Sequence, residues 1–104
     1  MITVSVLYPN TAGLKFNMNY YLGTHIPLLQ KLLGAALKGV LVQQGIGGAA
    51  PGSTAQYEVI TELKFDSLES YQAAFGPHAP AVMGDLPNFC SESPIVQINN
   101  VRLG

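Results

Sequence analysis

Apolar and polar residues alternate over the first positions of the chain. Ile2, Val4, Val6 and Tyr8 fall on one side of an extended backbone, with Thr3, Ser5 and Leu7 on the other. A period of two predicts a β-strand. Pro9-Asn10-Thr11-Ala12-Gly13 ends it in turn-forming residues. From Asn17 to Leu33 the period lengthens. Tyr21, His25, Leu28, Leu32 and Ala36 recur at spacings of three and four, which places them on one helical stripe. Asn17 can cap the start. Pro27 lies inside this pattern, lacks an N–H, and crowds the carbonyl of Gly23. A kink near Thr24-His25, or two short helices, is expected there, with Gly34 or Gly39 as the stop.

The period of two then returns. Val40, Val42, Gln44 and Ile46 share a face within Gly39–Gly48, and Tyr57, Val59, Thr61, Leu63 and Phe65 share one within Gln56–Phe65. The small residues between them predict an antiparallel hairpin. Asp66, with Glu69 three residues on, resembles a capping box for a helix carrying Leu68, Tyr71 and Phe75, closed by Gly76-Pro77. A short helix is predicted over Ala79–Leu86, with Pro80 near its first position. A last strand is predicted over Pro94–Val101.

The order β-α-β-β-α-β, with right-handed crossovers, predicts an α+β ferredoxin-like fold in one domain, residues 1–104. Its four-stranded antiparallel sheet carries both helices on one face. The other face is partly apolar and bare, and packing two sheets face to face would cover it. Composition adds to this: 48% of the 104 residues are hydrophobic and only 11% are charged, against about 25% charged in an ordinary soluble domain. A homodimer is therefore expected.

Net charge is −1 with no basic run, so nucleic acid is not an expected partner. The single cysteine, Cys90, permits neither an intrachain disulfide nor a thiolate metal cluster, and fits a reducing, cytoplasmic setting. No signal-peptide pattern is visible, and apolar runs fall far short of the ~20 residues of a membrane span. Phosphate-binding glycine loops and clustered metal ligands are absent from the sequence, so no cofactor is expected.

The chemistry-bearing candidates are few. His25 shares a stripe with Tyr21 and can exchange a proton near neutral pH; it could equally satisfy a carbonyl freed by Pro27. His78 sits in a Gly-Pro-His-Ala-Pro stretch, as a site residue or as a solvated loop histidine. Tyr57, at the start of its strand, could orient a carbonyl or serve only as packing. Asp85 would make an acid–base pair beside a histidine, or would bond local backbone at a helix end. Cys90 has no base nearby in sequence and reads as a small buried residue.

Two segments carry a family resemblance. Phe16-Asn17-Met18-Asn19-Tyr20-Tyr21 followed by His25-Ile26-Pro27-Leu28 resembles the helix motif of the ethyl tert-butyl ether degradation (EthD) family. Asp85-Leu86-Pro87-Asn88-Phe89, followed by Pro94-Ile95-Val96-Gln97-Ile98, resembles its turn and closing strand. Cys90 stands where that resemblance implies Thr or Ser. The resemblance implies a dimeric α+β barrel, a fold whose wider membership includes polyketide cyclases, cofactor-independent monooxygenases, lactone isomerases and haem-degrading enzymes. It implies a cavity without assigning a reaction.

Two functions follow as expectations. One is an enzyme or accessory protein in the oxidative breakdown or modification of a small apolar organic compound. His25 would then be the general acid or base, Tyr21, Tyr57, His78 and Asp85 substrate-binding residues, and an oxygenase system a possible partner. The other is a binding protein that carries an apolar ligand for such a system without catalysis. Haem held by His25 is a third, weaker reading.

Overall fold

A computed structural model describes residues 1–104. The four strands are β1 (Ile2–Pro9), β2 (Gly39–Gln44), β3 (Tyr57–Phe65) and β4 (Ile95–Asn100). They form one antiparallel sheet in the order β2-β3-β1-β4, so the fold is α+β and ferredoxin-like. No helix is long and apolar enough to cross a membrane.

The register sorts the side chains as the alternation predicts. Val4 lies opposite Leu63 on one side and Ile98 on the other, and Val6 lies between Thr61 and Val96. These rows face the helices, and Ile2, Val4, Val59, Leu63 and Phe65 are buried there. The far face is mixed. Leu7, Ile60 and Ile95 form one apolar row across it. The neighbouring positions are polar and bonded to one another: Ser5 donates to Glu62 at 2.7 Å, and Asn99 donates to Ser5 at 2.8 Å and to Thr3 at 3.1 Å.

The first helical segment is broken in three. Helix α1 (Met18–Tyr20) starts at Asn17, whose side chain accepts from the Tyr20 N–H at 3.0 Å. A π-helical turn follows over Tyr21–His25, and α2 runs over Ile26–Leu33. The turn is how the chain accommodates Pro27. The Ile26 N–H donates five residues back, to the Tyr21 carbonyl, in place of the tighter α-helical ladder that a proline disrupts. One extra residue in the turn advances the buried stripe by one position. After Tyr21 and His25 it continues through Leu29 and Leu33, leaving Leu28 and Leu32 only half-buried, where an unbroken helix would have used those two. Gly34, at φ +57°, ends α2 in a conformation that favours glycine.

Three other local expectations change. Strand β2 stops at Gln44, so Ile46 is a fully exposed loop residue and not part of a strand face. Helix α3 (Leu68–Phe75) is capped by Ser67, which accepts from the Ser70 N–H at 3.1 Å, and not by Asp66. Ser67 is the extended residue directly before the helix, which is where a cap must sit; Asp66 instead lies 3.8 Å from Lys38. Gly76-Pro77 does not end the helical path. A 3-10 turn over Gly76–His78 passes into α4 (Ala79–Asp85), with Pro80 in its first turn, and a second 3-10 turn covers Leu86–Asn88.

Candidate functional site

The two motif segments, about sixty residues apart in sequence, meet at one edge of the helical layer. The Asn17 N–H donates to the Phe89 carbonyl at 2.7 Å, and the Ser91 N–H donates to the Lys15 carbonyl at 3.0 Å. Phe16 and Cys90 form an isolated antiparallel bridge. These bonds clamp the turn after α4 onto the residues before α1. Asp85, the last residue of α4, is thereby brought to the end of the π turn.

His25 and Asp85 form a pair there. The Nδ1 of His25 lies 2.9 Å from Oδ2 of Asp85. The other carboxylate oxygen accepts from the Tyr20 hydroxyl at 2.6 Å and from Asn88 Nδ2 at 2.9 Å. Burial works against the charge on Asp85, but the hydrogen bonds from Tyr20, Asn88 and His25 outweigh it and hold the carboxyl below its usual range. An ionised Asp85 makes Nδ1 the protonated nitrogen. Nε2 then keeps its lone pair, and it has no hydrogen-bond partner in the chain. The imidazole is held between rings: it stacks on Tyr21 at 5.5 Å and 16°, and Phe89 lies 4.4 Å away.

Nε2 faces a cavity of about 280 Å³ between the sheet and the helices. Its walls come from β1, the centre of β3, β4, the π turn, α2, α3 and α4, and are mostly apolar, with Val6, Leu29, Tyr71, Phe75 and Val82 among them. Tyr8, Tyr21 and Thr61 supply hydroxyls. The Tyr21 and Thr61 hydroxyl oxygens are 2.6 Å apart, and the Tyr8 ring packs edge to face on that of Tyr21 at 5.8 Å. Burial pushes the Tyr8 and Tyr21 phenols above their ordinary range, so both are neutral at physiological pH. A cavity of this size is small for a ligand site.

The sequence candidates fall into three positions. His25 and Tyr21 line the cavity. Asp85 stands behind His25, where it orients the ring instead of lining the cavity. Tyr57 and His78 lie outside the lining: Tyr57 pairs with Pro9 at the far end of β3, and His78 ends a 3-10 turn, half-buried. Tyr8 and Thr61 are cavity residues that sequence reasoning did not single out. Thr61 had a visible signal, as a small hydroxyl residue in the middle of a buried strand face, flanked by Val59, Leu63 and Phe65. Cys90 is buried and free, packed in the aromatic cluster behind the site.

Comparison with known proteins agrees with the fold. An EthD-like protein from Ralstonia eutropha JMP134 superposes with a TM-score of 0.93 and 32% identity, over 98% of this chain and 92% of that one. An EthD family protein from Bacillus halodurans C-125 gives a TM-score of 0.74 over 97% of this chain and 98% of that one, and at 23% identity it speaks for the fold alone. No curated protein matches the chain. The EthD domain pattern matches residues 15–93, a span that holds both halves of the His25–Asp85 pair, and the chain belongs to the EthD family.

Proposed function

We propose that this protein moves a proton on a small, largely apolar organic compound, with His25 as general base and then general acid. The observation that carries the reading is the unpartnered Nε2 of His25 facing an apolar cavity while Nδ1 is bonded to Asp85. A base needs a lone pair aimed at the reacting atom and a charge that stabilises its protonated form; Nε2 supplies the first and Asp85 the second. Apolar walls exclude competing water. Such a step fits an enzyme or an accessory protein in the oxidative breakdown or modification of apolar compounds, working beside an oxygenase system in the cytoplasm.

The working unit in this proposal is a homodimer. Half-exposed Leu41 and Ile95 on the far face of the sheet and the low charge content support it. Light scattering at micromolar concentration should report twice the chain mass, and a monomer would remove this part of the reading.

The test of the chemistry compares wild type with His25→Gln on small apolar carbonyl and phenolic compounds. The variant should bind as wild type does and turn substrate over about 10²–10⁴-fold more slowly. Undiminished turnover by a folded variant removes the proposal. Saturable binding by wild type with no turnover of any compound would favour the carrier reading.

A further inference from the structure

Thr61 is the least expected residue of the helix-facing side of the sheet. It is 1% exposed, at the middle of β3, between Val59 and Leu63. A buried hydroxyl costs stability unless it is bonded, and the bond that Thr61 makes is to Tyr21. Two hydroxyls have two protons, and the bond between them uses one. The other is free to turn into the cavity whichever oxygen donates. Tyr8 brings a third phenol to the cavity wall next to Tyr21. A Thr61 hydroxyl that donates into the Tyr21 oxygen polarises the Tyr21 O–H and makes it a better donor.

The cavity therefore offers two complementary polar points on mostly apolar walls. One is the Nε2 lone pair of His25, and the other is the free hydroxyl proton of the Tyr21–Thr61 pair. They are held in fixed relation, because the Tyr21 and His25 rings come from the two ends of one π turn and stack on each other. A base next to a hydrogen-bond donor in a mostly apolar pocket is the arrangement that removes a proton from carbon beside a carbonyl. The volume, about 280 Å³, set against about 30 Å³ for a water in the liquid, corresponds to a molecule on the order of ten heavy atoms.

We propose that the cavity takes a small enolisable ketone, that Tyr21 donates the hydrogen bond to its oxygen, and that Thr61 is the positioning residue for Tyr21. The inference rests on the proton-transfer reading of His25. The Cα–H bond breaks and its proton goes to Nε2. The C–H electron pair forms the C=C bond, and the carbonyl π pair moves to oxygen, where Tyr21 stabilises the enolate. The imidazolium, paired with Asp85, then returns its proton to carbon, either the same atom or the γ carbon of an unsaturated ketone. The result is exchange or isomerisation with no change of oxidation state.

The probe is 2-tetralone in D2O, with α-proton loss followed by proton NMR, and 2-naphthol serves as a stable analogue of its enol. Wild type should accelerate exchange and bind 2-naphthol. Tyr21→Phe should slow exchange about 10²–10³-fold and weaken 2-naphthol more than it weakens tetralin, which lacks the oxygen. Thr61→Val should slow exchange about tenfold with little change in KM, and Thr61→Ser, which keeps the hydroxyl, should restore it. A merely structural Thr61 would show no such rescue. If His25→Gln abolishes exchange while Tyr21→Phe leaves it intact, the proton-transfer reading stands and the hydroxyl assignment is overturned. If wild type exchanges no protons of 2-tetralone, the ketone assignment is overturned; His25-dependent turnover of another compound would leave the broader reading in place.

Discussion

The helix-facing side of the sheet is built from two different materials. At one end Ile2, Val4, Leu29, Leu33, Leu63 and Phe65 form a cluster that is aliphatic apart from Phe65. At the other end Tyr8, Tyr21, Val59 and Phe89 form an aromatic cluster, with Phe16 packed on its edge. Its rings meet mainly edge to face, with Tyr8 and Phe16 at 5.0 Å and 71° and Phe16 and Tyr21 at 5.0 Å and 64°. Aliphatic side chains fill space and carry no polar atom. Aromatic rings bury comparable area while presenting hydroxyl tips. The first end thus packs without polar groups, and the second packs while presenting hydroxyls to the cavity. The cavity opens where they meet, so a ligand would touch Leu29 and Leu63 on one side and Tyr8 and Tyr21 on the other.

That division predicts different responses at the two ends. The largest belongs to the aliphatic end. Phe65 is fully buried, and Phe65→Ala should lower the unfolding free energy by about 3–5 kcal/mol in a urea titration; a loss near zero would mean that this cluster is not the stabilising one. At the aromatic end the next effect is alkaline. The folded-state pKa values of Tyr8 and Tyr21 are raised above the unfolded value of 10.0. Their contribution is therefore fully present below that pH and is lost as pH rises toward the folded values. Melting temperature should fall above about pH 10, and the phenolate absorbance of these two residues should appear only with unfolding.

A smaller change is expected from Thr61→Val, which keeps the side-chain shape and deletes the hydroxyl. It should cost about 1 kcal/mol. Combining it with Tyr21→Phe should cost less than the sum of the two, because neither hydroxyl is then left bare; simple additivity would mean that the pair is not coupled. The smallest effect on stability is set by Asp85, whose carboxyl is held below its ordinary 3.8. Its contribution is present above that value and is lost as pH falls below it. Asp85→Asn should therefore flatten the acid limb of the stability curve below about pH 4, and an unchanged limb would place the acid sensitivity elsewhere.

Much of the scaffold was legible in the sequence because local periodicity encodes it. The alternation through β1 and β3 and the glycine at the end of α2 follow from short-range rules, and the element order fixes the topology. The two motif segments also pointed to the site. What they could not supply was the distance between His25 and Asp85, which depends on the clamp between residues 15–17 and 89–91. Asp85 read equally well as a helix-end turn residue, and it is one, with Asn88 on the same oxygen. The stripe along α2 was displaced because a π turn adds a residue without any residue type that marks it; Pro27 signals a disturbance and not its form. Thr61 stood in plain view on a buried face, but its meaning needed Tyr21 across the cavity.

The π turn also has a consequence for tolerance to deletion. It acts as a phase offset between two registers, one set by Tyr21 and His25 and the other by Ile26, Leu29 and Leu33. Removing Gly23, an exposed residue whose position has open space around it, would take out no packing contact and would let the turn close into the ordinary α-helical ladder, with both registers still facing the sheet. The extra residue is thus spare length, and deleting it should be far milder than deleting one residue in the middle of α2, which would rotate everything beyond it by about 100°.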